Sequence, residues 1–164
     1  MKIKIGCALL TAAALLVLAG CAVEEQEAKD LVNDPFSDHQ SEIRDAVLSI
    51  KKDIESSNIE GLQAIHLESE KFTKFGPRNF DRQDVASTNQ SEAAFFSSIT
   101  EAKYEARDLK IDVFGDVGIA TYYPEVSLMR DGNAVEVSGR QTLVFLKTDS
   151  GWKLVHEHGT VKSP

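Results

Sequence analysis

The chain has 164 residues, of which 42% are hydrophobic, and its formal net charge is −8 at neutral pH. This length fits a single domain. The acidic charge disfavours contact with phosphate backbones and anionic headgroups, so we do not expect nucleic acid as a partner.

The chain begins with a short positive segment that is followed by an apolar run. Lys2 and Lys4 supply the positive charge, and the apolar run extends over residues 5–17. A hydrocarbon core of about 30 Å requires roughly 20 apolar residues, so this run is too short to span a membrane. The pattern is typical of an export signal rather than of a transmembrane helix.

The apolar run ends with Leu18-Ala19-Gly20-Cys21. This sequence resembles the lipobox of bacterial lipoproteins. The resemblance implies that Cys21 is lipidated and that the signal peptide 1–20 is removed, and several acyl chains give stable membrane anchoring. Ala22, which is not an aspartate, resembles the residue that directs lipoproteins to the outer membrane in cells with two membranes; in other cells we expect the cell surface. The alternative is an ordinary secretory signal that ends at a cysteine.

Cleavage after Gly20 changes the composition of the remaining chain. It removes Lys2 and Lys4, which takes the net charge from −8 to −10, and it removes Cys7. Because Cys21 would carry lipid, no cysteine pair is left for a disulfide or a thiolate metal site. We expect no cofactor, since the sequence also has no glycine-rich phosphate-binding loop.

The first part of the exported chain is predicted to be a tether followed by helices. Residues 21–37 are polar and acidic, which predicts a flexible tether before a domain at residues 38–164. Asn58 precedes a short second helix. The first helix is indicated by apolar residues at helical spacing, namely Ile43, Ala46, Val47, Ile50 and Ile54.

The middle of the chain is predicted to hold a short strand at residues 71–75, a loop over residues 80–88 and a third helix over residues 90–99. Alternating apolar residues and turn signals such as Asp131-Gly132 then predict four strands joined by tight turns. Helices followed by an antiparallel meander indicate an α+β fold with the helices packed on one face of the sheet.

The last two predicted strands carry a recognisable pattern. Gly139–Lys147 reads Gly-Arg-Gln-Thr-Leu-Val-Phe-Leu-Lys, and Gly151–His158 reads Gly-Trp-Lys-Leu-Val-His-Glu-His. This pattern resembles the end of SnoaL-like domains, which belong to the superfamily of nuclear transport factor two and ketosteroid isomerase. The order of the helices and the Phe114–Thr121 run fit the same family, and the resemblance covers about residues 38–162.

The resemblance implies a strongly bent sheet that wraps around the helices and leaves a conical cavity. It does not imply one activity, because members include isomerases, cyclases, dehydratases, non-catalytic binding domains and kinase assembly domains. Many members form dimers or rings through the outer face of the sheet, so a homodimer is expected.

The alternation of side chains along the last strand predicts which of its residues line the pocket. Trp152, Leu154, His156 and His158 are expected to share one face. Two imidazoles on one face suit ligand binding or proton transfer, and the alternative is that they are polar sheet residues. No third histidine stands nearby in sequence, so we expect no metal site.

Arg140 and Tyr123 complete the candidate ligand-binding set. Arg140 lies on the even-numbered face of its strand, and if that face points inward it needs a carboxylate or an anionic ligand. Tyr123 precedes Pro124 at a predicted strand bend, where a phenol can orient a ligand. No catalytic aspartate of the ketosteroid isomerase type is identifiable, so catalytic residues stay unassigned.

Three functions follow from these expectations. The first is a lipid-anchored domain that binds a small, partly apolar molecule. The second is a homo-oligomeric assembly module whose pocket does not work. The third is an isomerase-like or dehydratase-like enzyme that uses a pocket histidine as its base.

Overall fold

The computed structural model describes residues 29–77 and 79–162. The predicted signal peptide 1–20 and residues 21–28 of the predicted tether, Cys21 included, lie outside these described residues. Within the described ranges, no helix combines the length and the apolar character that crossing a membrane requires.

In the described part of the chain, three helices precede the long strands: α1 at Ser37–Ser56, α2 at Ile59–Ile65 and α3 at Val85–Phe96. Helix α1 buries Ile43 and Val47, as its apolar spacing predicts. The side chain of Asn58 accepts a hydrogen bond from the backbone N–H of Gly61, which caps the start of α2.

Helix α3 begins earlier than predicted. The loop expected over residues 80–88 gives way to helix at Val85, because Asp84 and Ser87 form a capping box in which each side chain binds the other's backbone N–H. The helix also ends at Phe96, and Ile99 opens the following strand instead of closing the helix.

The five strands found among the described residues form one curled, open sheet in the order β1-β5-β4-β3-β2. Their bounds are β1 Thr73–Phe75, β2 Ile99–Phe114, β3 Val117–Arg130, β4 Asn133–Thr148 and β5 Gly151–Val161. The four long strands pair antiparallel, while the short β1 pairs parallel with β5. The predicted α+β fold, with N-terminal helices packed in a strongly bent antiparallel sheet, is confirmed.

The main core lies where α1 meets the sheet. Ile43 is fully buried against Gly118 of β3, and a Cβ atom at Gly118 would overlap the Cδ1 methyl of Ile43. The glycine therefore allows the close approach of helix and sheet. The other large buried side chains of this core include Val47, Phe72, Phe145 and Leu154.

Strand β5 contains a bulge that changes which residues face inward. Leu154 pairs with Phe145, but His156 pairs with Val144, so Val155 is an extra residue in the ladder. After the bulge, Glu157 is opposite the buried Leu143 and shares its inner face.

The expectation that Trp152, Leu154, His156 and His158 share one face is therefore wrong. Trp152 and Leu154 lie on the inner face, whereas the two histidines lie on the outer face. The physical reason is that one inserted residue shifts the two-residue alternation of the strand.

Candidate functional site

A cavity of about 580 Å³ lies between the helices and the inner face of the sheet. This volume is within the range of roughly 300–1,000 Å³ that is typical of small-molecule sites. Its apolar wall is contributed by all three helices and by β3 and β4, and includes Ile50, Ile54, Leu62, Phe95, Val126, Leu128, Val137 and Leu143.

A group of charged side chains interrupts this apolar wall. The ammonium of Lys74 lies 2.7 Å from Oε1 of Glu92 and 3.0 Å from Oε2 of Glu157. The three side chains are only 11%, 16% and 17% exposed, respectively. This charged group is therefore largely removed from water, where ionic interactions are stronger than at the surface.

Local structure brings these charges together from distant parts of the chain. Lys74 on β1 and Glu157 on β5 are direct partners in the parallel register. Glu92 lies on α3, four residues after the buried Thr88 and three before Phe95, which places it on the inward side of that helix.

The charges support one another's ionised forms. Burial opposes the ammonium of Lys74, but the carboxylates of Glu157 and Glu92 outweigh burial and raise the pKa of Lys74 above its usual range. Burial likewise opposes the carboxylate of Glu157, but Lys74 outweighs it and lowers the pKa of Glu157. Gln141 donates a further hydrogen bond of 3.0 Å to Oε1 of Glu157.

His66 completes the charged group at the end of α2. Its Nδ1 lies 2.8 Å from Oδ1 of Asn89, and its Nε2 lies 3.9 Å from Oε2 of Glu92. This Glu92 oxygen is buried and has no hydrogen-bond partner among the residues that the structure describes. We name His66, Lys74, Glu92 and Glu157 together the charged cluster.

Two phenols lie on the cavity wall formed by β2 and β3. The hydroxyl of Tyr104 donates to the hydroxyl of Tyr122 at 2.9 Å, and both side chains are buried. Burial raises the pKa of Tyr104 to about 12 and raises that of Tyr122 well above its usual value. Both phenols are therefore neutral hydrogen-bonding groups at physiological pH.

The charged cluster also resembles a metal-ligand set in residue type. His66, Glu92 and Glu157 each offer one ligand atom, and these three atoms lie within 4.8 Å of one another. However, the Lys74 ammonium already lies between the two carboxylates and would repel a divalent cation. The arrangement therefore favours a site without metal, and that absence stays a prediction.

The two histidines of β5 lie outside this cavity. Nδ1 of His156 is 2.8 Å from the hydroxyl oxygen of Thr73, and the Phe75 ring contacts the rings of both His156 and His158. These contacts place them on the outer face beside the edge strand β1. The pocket position expected for them is wrong.

Arg140 and Tyr123 also point away from the cavity. Arg140 is exposed, because the inner face of β4 carries the odd-numbered residues Gln141, Leu143 and Phe145. Tyr123 is 42% exposed, and the guanidinium of Arg107 lies over its ring. The pocket positions expected for both residues are therefore wrong. Side chains alternate along a strand, and it is Tyr122, not Tyr123, that faces inward.

Trp152 faces inward but belongs to the core rather than to the cavity wall. It is 7% exposed, and its indole Nε1 donates a hydrogen bond of 2.7 Å to Oε2 of Glu42. The ring of His39 packs against its edge. Trp152 therefore attaches α1 to β5 instead of contacting a ligand.

The sequence interpretation missed all four members of the charged cluster. Glu92 could have been identified from the sequence, because it is a charged residue within the apolar stripe of a predicted helix. Glu157 was missed because the bulge at Val155 reversed the apparent parity of β5. Lys74 was missed because a three-residue strand shows too little alternation to assign its faces.

Comparison with protein families identifies the domain. The family model for the SnoaL-like domain matches residues 43–163. No curated protein matches the chain.

Solved structures share the fold at low sequence identity. A candidate dehydratase of the NTF2-like family from Streptomyces avermitilis is 17% identical, with a TM-score of 0.72 over 78% of this chain and 99% of that one. An NTF2-like superfamily protein from Salmonella enterica is 16% identical, with a TM-score of 0.71 over 78% and 94%. A candidate calcium/calmodulin-dependent protein kinase II association domain from Xanthomonas campestris is 12% identical, with a TM-score of 0.64 over 74% and 86%. These likenesses show the fold alone.

Proposed function

We propose that this chain, which belongs to the SnoaL-like domain family, is a membrane-anchored lipoprotein whose cavity binds a small, partly apolar molecule. The observation that carries this proposal is the cavity of about 580 Å³, in which an apolar wall surrounds the charged cluster. An apolar cavity with a few convergent polar groups is the usual form of a small-molecule site, since the wall supplies affinity and the polar groups supply orientation.

The residues proposed to orient the ligand are those that line the cavity. They replace the residues that side-chain alternation along the strands predicts from the sequence. Glu92, His66, Gln141 and the Tyr104–Tyr122 pair present polar atoms along the wall. Arg140, His156, His158 and Tyr123 have no place in this proposal, because their side chains lie on the outer face.

Native mass spectrometry of the full chain in lipid nanodiscs tests the binding proposal. We expect a retained small molecule that is lost in Val126→Trp, because this substitution fills the cavity from its wall. The matched control is Ser127→Trp, which adds the same side chain to the exposed face of the same strand. Arg140→Ala and His156→Ala are expected to retain the molecule.

The same measurement also reports mass and therefore oligomeric state. Equal occupancy in Val126→Trp and Ser127→Trp would contradict binding in the cavity. A dimer that retains no molecule would favour the assembly function, in which the outer sheet face joins two copies.

The membrane anchor is a separate part of the proposal and is supported by the lipobox resemblance at residues 18–21. Membrane fractionation tests it with Cys21→Ser, which removes the thiol that would carry the lipid. We expect the variant protein to leave the membrane fraction. Cys7→Ser is the matched control and is expected to stay membrane-bound; release of neither variant would contradict anchoring through Cys21.

A second candidate function is proton transfer by a cavity histidine. It is favoured by the bond between Nδ1 of His66 and Oδ1 of Asn89, which orients Nε2 toward Glu92 and the cavity. If the retained molecule is converted by the protein, His66→Gln is expected to abolish conversion, because a glutamine side chain cannot take up and release a proton. Loss of retention without any conversion in the unmodified chain would favour binding alone.

A further inference from the structure

Among the described residues, two hydrogen-bond acceptors in the charged cluster have no donor. Oε2 of Glu92 is buried and has no hydrogen-bond partner among the described residues. Oδ1 of Asn89 can only accept, so the Nδ1 of His66 that faces it at 2.8 Å carries the proton. In the neutral ring, Nε2 is then an acceptor, and it lies 3.9 Å from the same Glu92 oxygen.

The separation of these two acceptors selects the kind of group that can satisfy both. At 3.9 Å they are too far apart to bond directly. One heavy atom placed beside them can lie about 2.9 Å from each and donate to both, provided that it carries at least two hydrogens. A primary amine, a primary amide or a water molecule meets this requirement, whereas an alcohol hydroxyl has one hydrogen and a carboxylate has none.

The charges of the cluster favour the ionised form of such an amine. Among the residues that the structure describes, the carboxylates of Glu92 and Glu157 are paired with one ammonium, that of Lys74. These two carboxylates and this ammonium leave one negative charge in a site that is largely shielded from water, which is unfavourable. A ligand ammonium between Oε2 of Glu92 and Nε2 of His66 would balance it.

We infer that the ligand of this cavity carries a primary ammonium group attached to an apolar body, with the ammonium bound by Glu92 and His66. This inference rests on the proposed binding function and specifies its ligand class. The apolar body would lie against the wall formed by residues such as Phe95, Val126 and Leu128.

Calorimetric titration of the full chain in phosphatidylcholine nanodiscs, with empty nanodiscs subtracted, tests the inference. The probes are 2-phenylethylamine, 2-phenylethanol and 3-phenylpropanoate, which share an apolar body and differ in the polar group. Charge-assisted hydrogen bonds predict that the amine binds at least about tenfold more tightly than the alcohol, with the carboxylate weakest. This ranking requires no variant, so it does not depend on whether a substituted chain folds.

Two variants then test whether the preference for the amine depends on Glu92. Glu92→Gln keeps the size of the side chain but removes its charge, so we expect the amine to lose at least about tenfold in affinity while the alcohol changes little. Glu136→Gln makes the same substitution at an exposed site on β4 and should change neither affinity.

Three results would overturn the inference. Equal or tighter binding of the alcohol or the carboxylate would do so while leaving the binding function standing. No binding of any probe would also overturn it, and the separate mass-spectrometric test of the Val126→Trp variant would then decide the binding function. Stoichiometric Zn²⁺ binding that Glu92→Gln abolishes would assign the cluster to a metal instead.

Discussion

Lys74 and Glu157 are register partners on the parallel strands β1 and β5, and their side chains form a 3.0 Å ion pair inside the cavity. The parallel pairing of a three-residue strand thus brings a lysine from the middle of the chain to a glutamate near its end. Glu92 binds the other side of the same ammonium. The charged cluster is therefore both a structural connection and the polar end of the proposed binding site.

Removal of the lysine should destabilise the domain strongly. Lys74→Met leaves Glu92 and Glu157 without their cation, and breaking a buried ion pair in this way costs about 3–5 kcal/mol. Urea unfolding followed by circular dichroism measures the free energy of unfolding. Lys110→Met is the matched control, because Lys110 pairs with Asp112 at the surface, where an ion pair contributes about 0–1 kcal/mol. Similar losses in both variants would contradict a special contribution from the buried cluster.

Stability should fall on both sides of neutral pH. The pKa of Glu157 is lowered in the folded state, so its contribution is present above its ordinary value of 4.5 and is lost as the pH falls through the folded value. The pKa of Lys74 is raised, so its contribution is present below its ordinary value of 10.5 and is lost as the pH rises through the folded value.

The acid side of this dependence can be assigned to one residue. We expect the free energy of unfolding of Glu157→Gln to vary less between roughly pH 2 and 5 than that of the unmodified chain, because the variant has no carboxylate to protonate there. Glu136→Gln, at an exposed site, should keep the original dependence. Parallel pH profiles for the unmodified chain and Glu157→Gln would refute the assignment.

The buried phenol pair should ionise only in strongly alkaline solution. Because the pKa of Tyr104 is raised to about 12 and that of Tyr122 well above 10.0, absorbance of their phenolates near 295 nm should develop only above pH 10 in the folded protein. The raised pKa values also predict that stability decreases as the pH rises above 10, since the unfolded chain ionises first.

Single-residue substitutions test whether the late phase of the titration belongs to Tyr104 and Tyr122 rather than to Tyr123. Tyr122→Phe removes the acceptor of the Tyr104 hydroxyl and should cost about 1 kcal/mol of unfolding free energy. It should also remove one of the late-titrating phenols. Tyr123→Phe on the outer face should leave the late phase unchanged, and disappearance of that phase in Tyr123→Phe would show that the phenols are wrongly assigned.

The contact between α1 and β3 provides a test by a double-mutant cycle. Gly118→Ala introduces a Cβ against Cδ1 of Ile43, and overpacking of this kind costs about 1–3 kcal/mol. Ile43→Val removes that methyl and alone costs about 0.5–1.5 kcal/mol. We expect the double variant to lose less stability than the sum of the two, as measured by urea unfolding. Strict additivity would contradict the direct contact.

Much of the fold could be predicted from the chain because its signals are local. The apolar spacing of α1, the Asn58 cap and the Asp131-Gly132 turn each depend on residues close in sequence, and the structure confirms all three. The start of α3 was misplaced because a capping box formed by Asp84 and Ser87 was not recognised.

The candidate site was less predictable, because face assignment depends on an unbroken alternation along a strand. The bulge at Val155 turned His156 outward and Glu157 inward. For Arg140 and Tyr123, alternation gives two opposite faces but does not say which one meets the helices. Burial of Tyr122 and Leu143 shows which face that is.

The sequence by itself determined the α+β order of elements and the family resemblance, because periodicity, caps and turns act over a few residues. It also contains Leu18-Ala19-Gly20-Cys21, whose resemblance to a lipobox is the basis of the anchor prediction. Only the tertiary structure decided which side chains meet in the cavity. Lys74, Glu92 and Glu157 come from β1, α3 and β5, and their contact depends on a parallel pairing and a bulge that arise from packing of the whole domain.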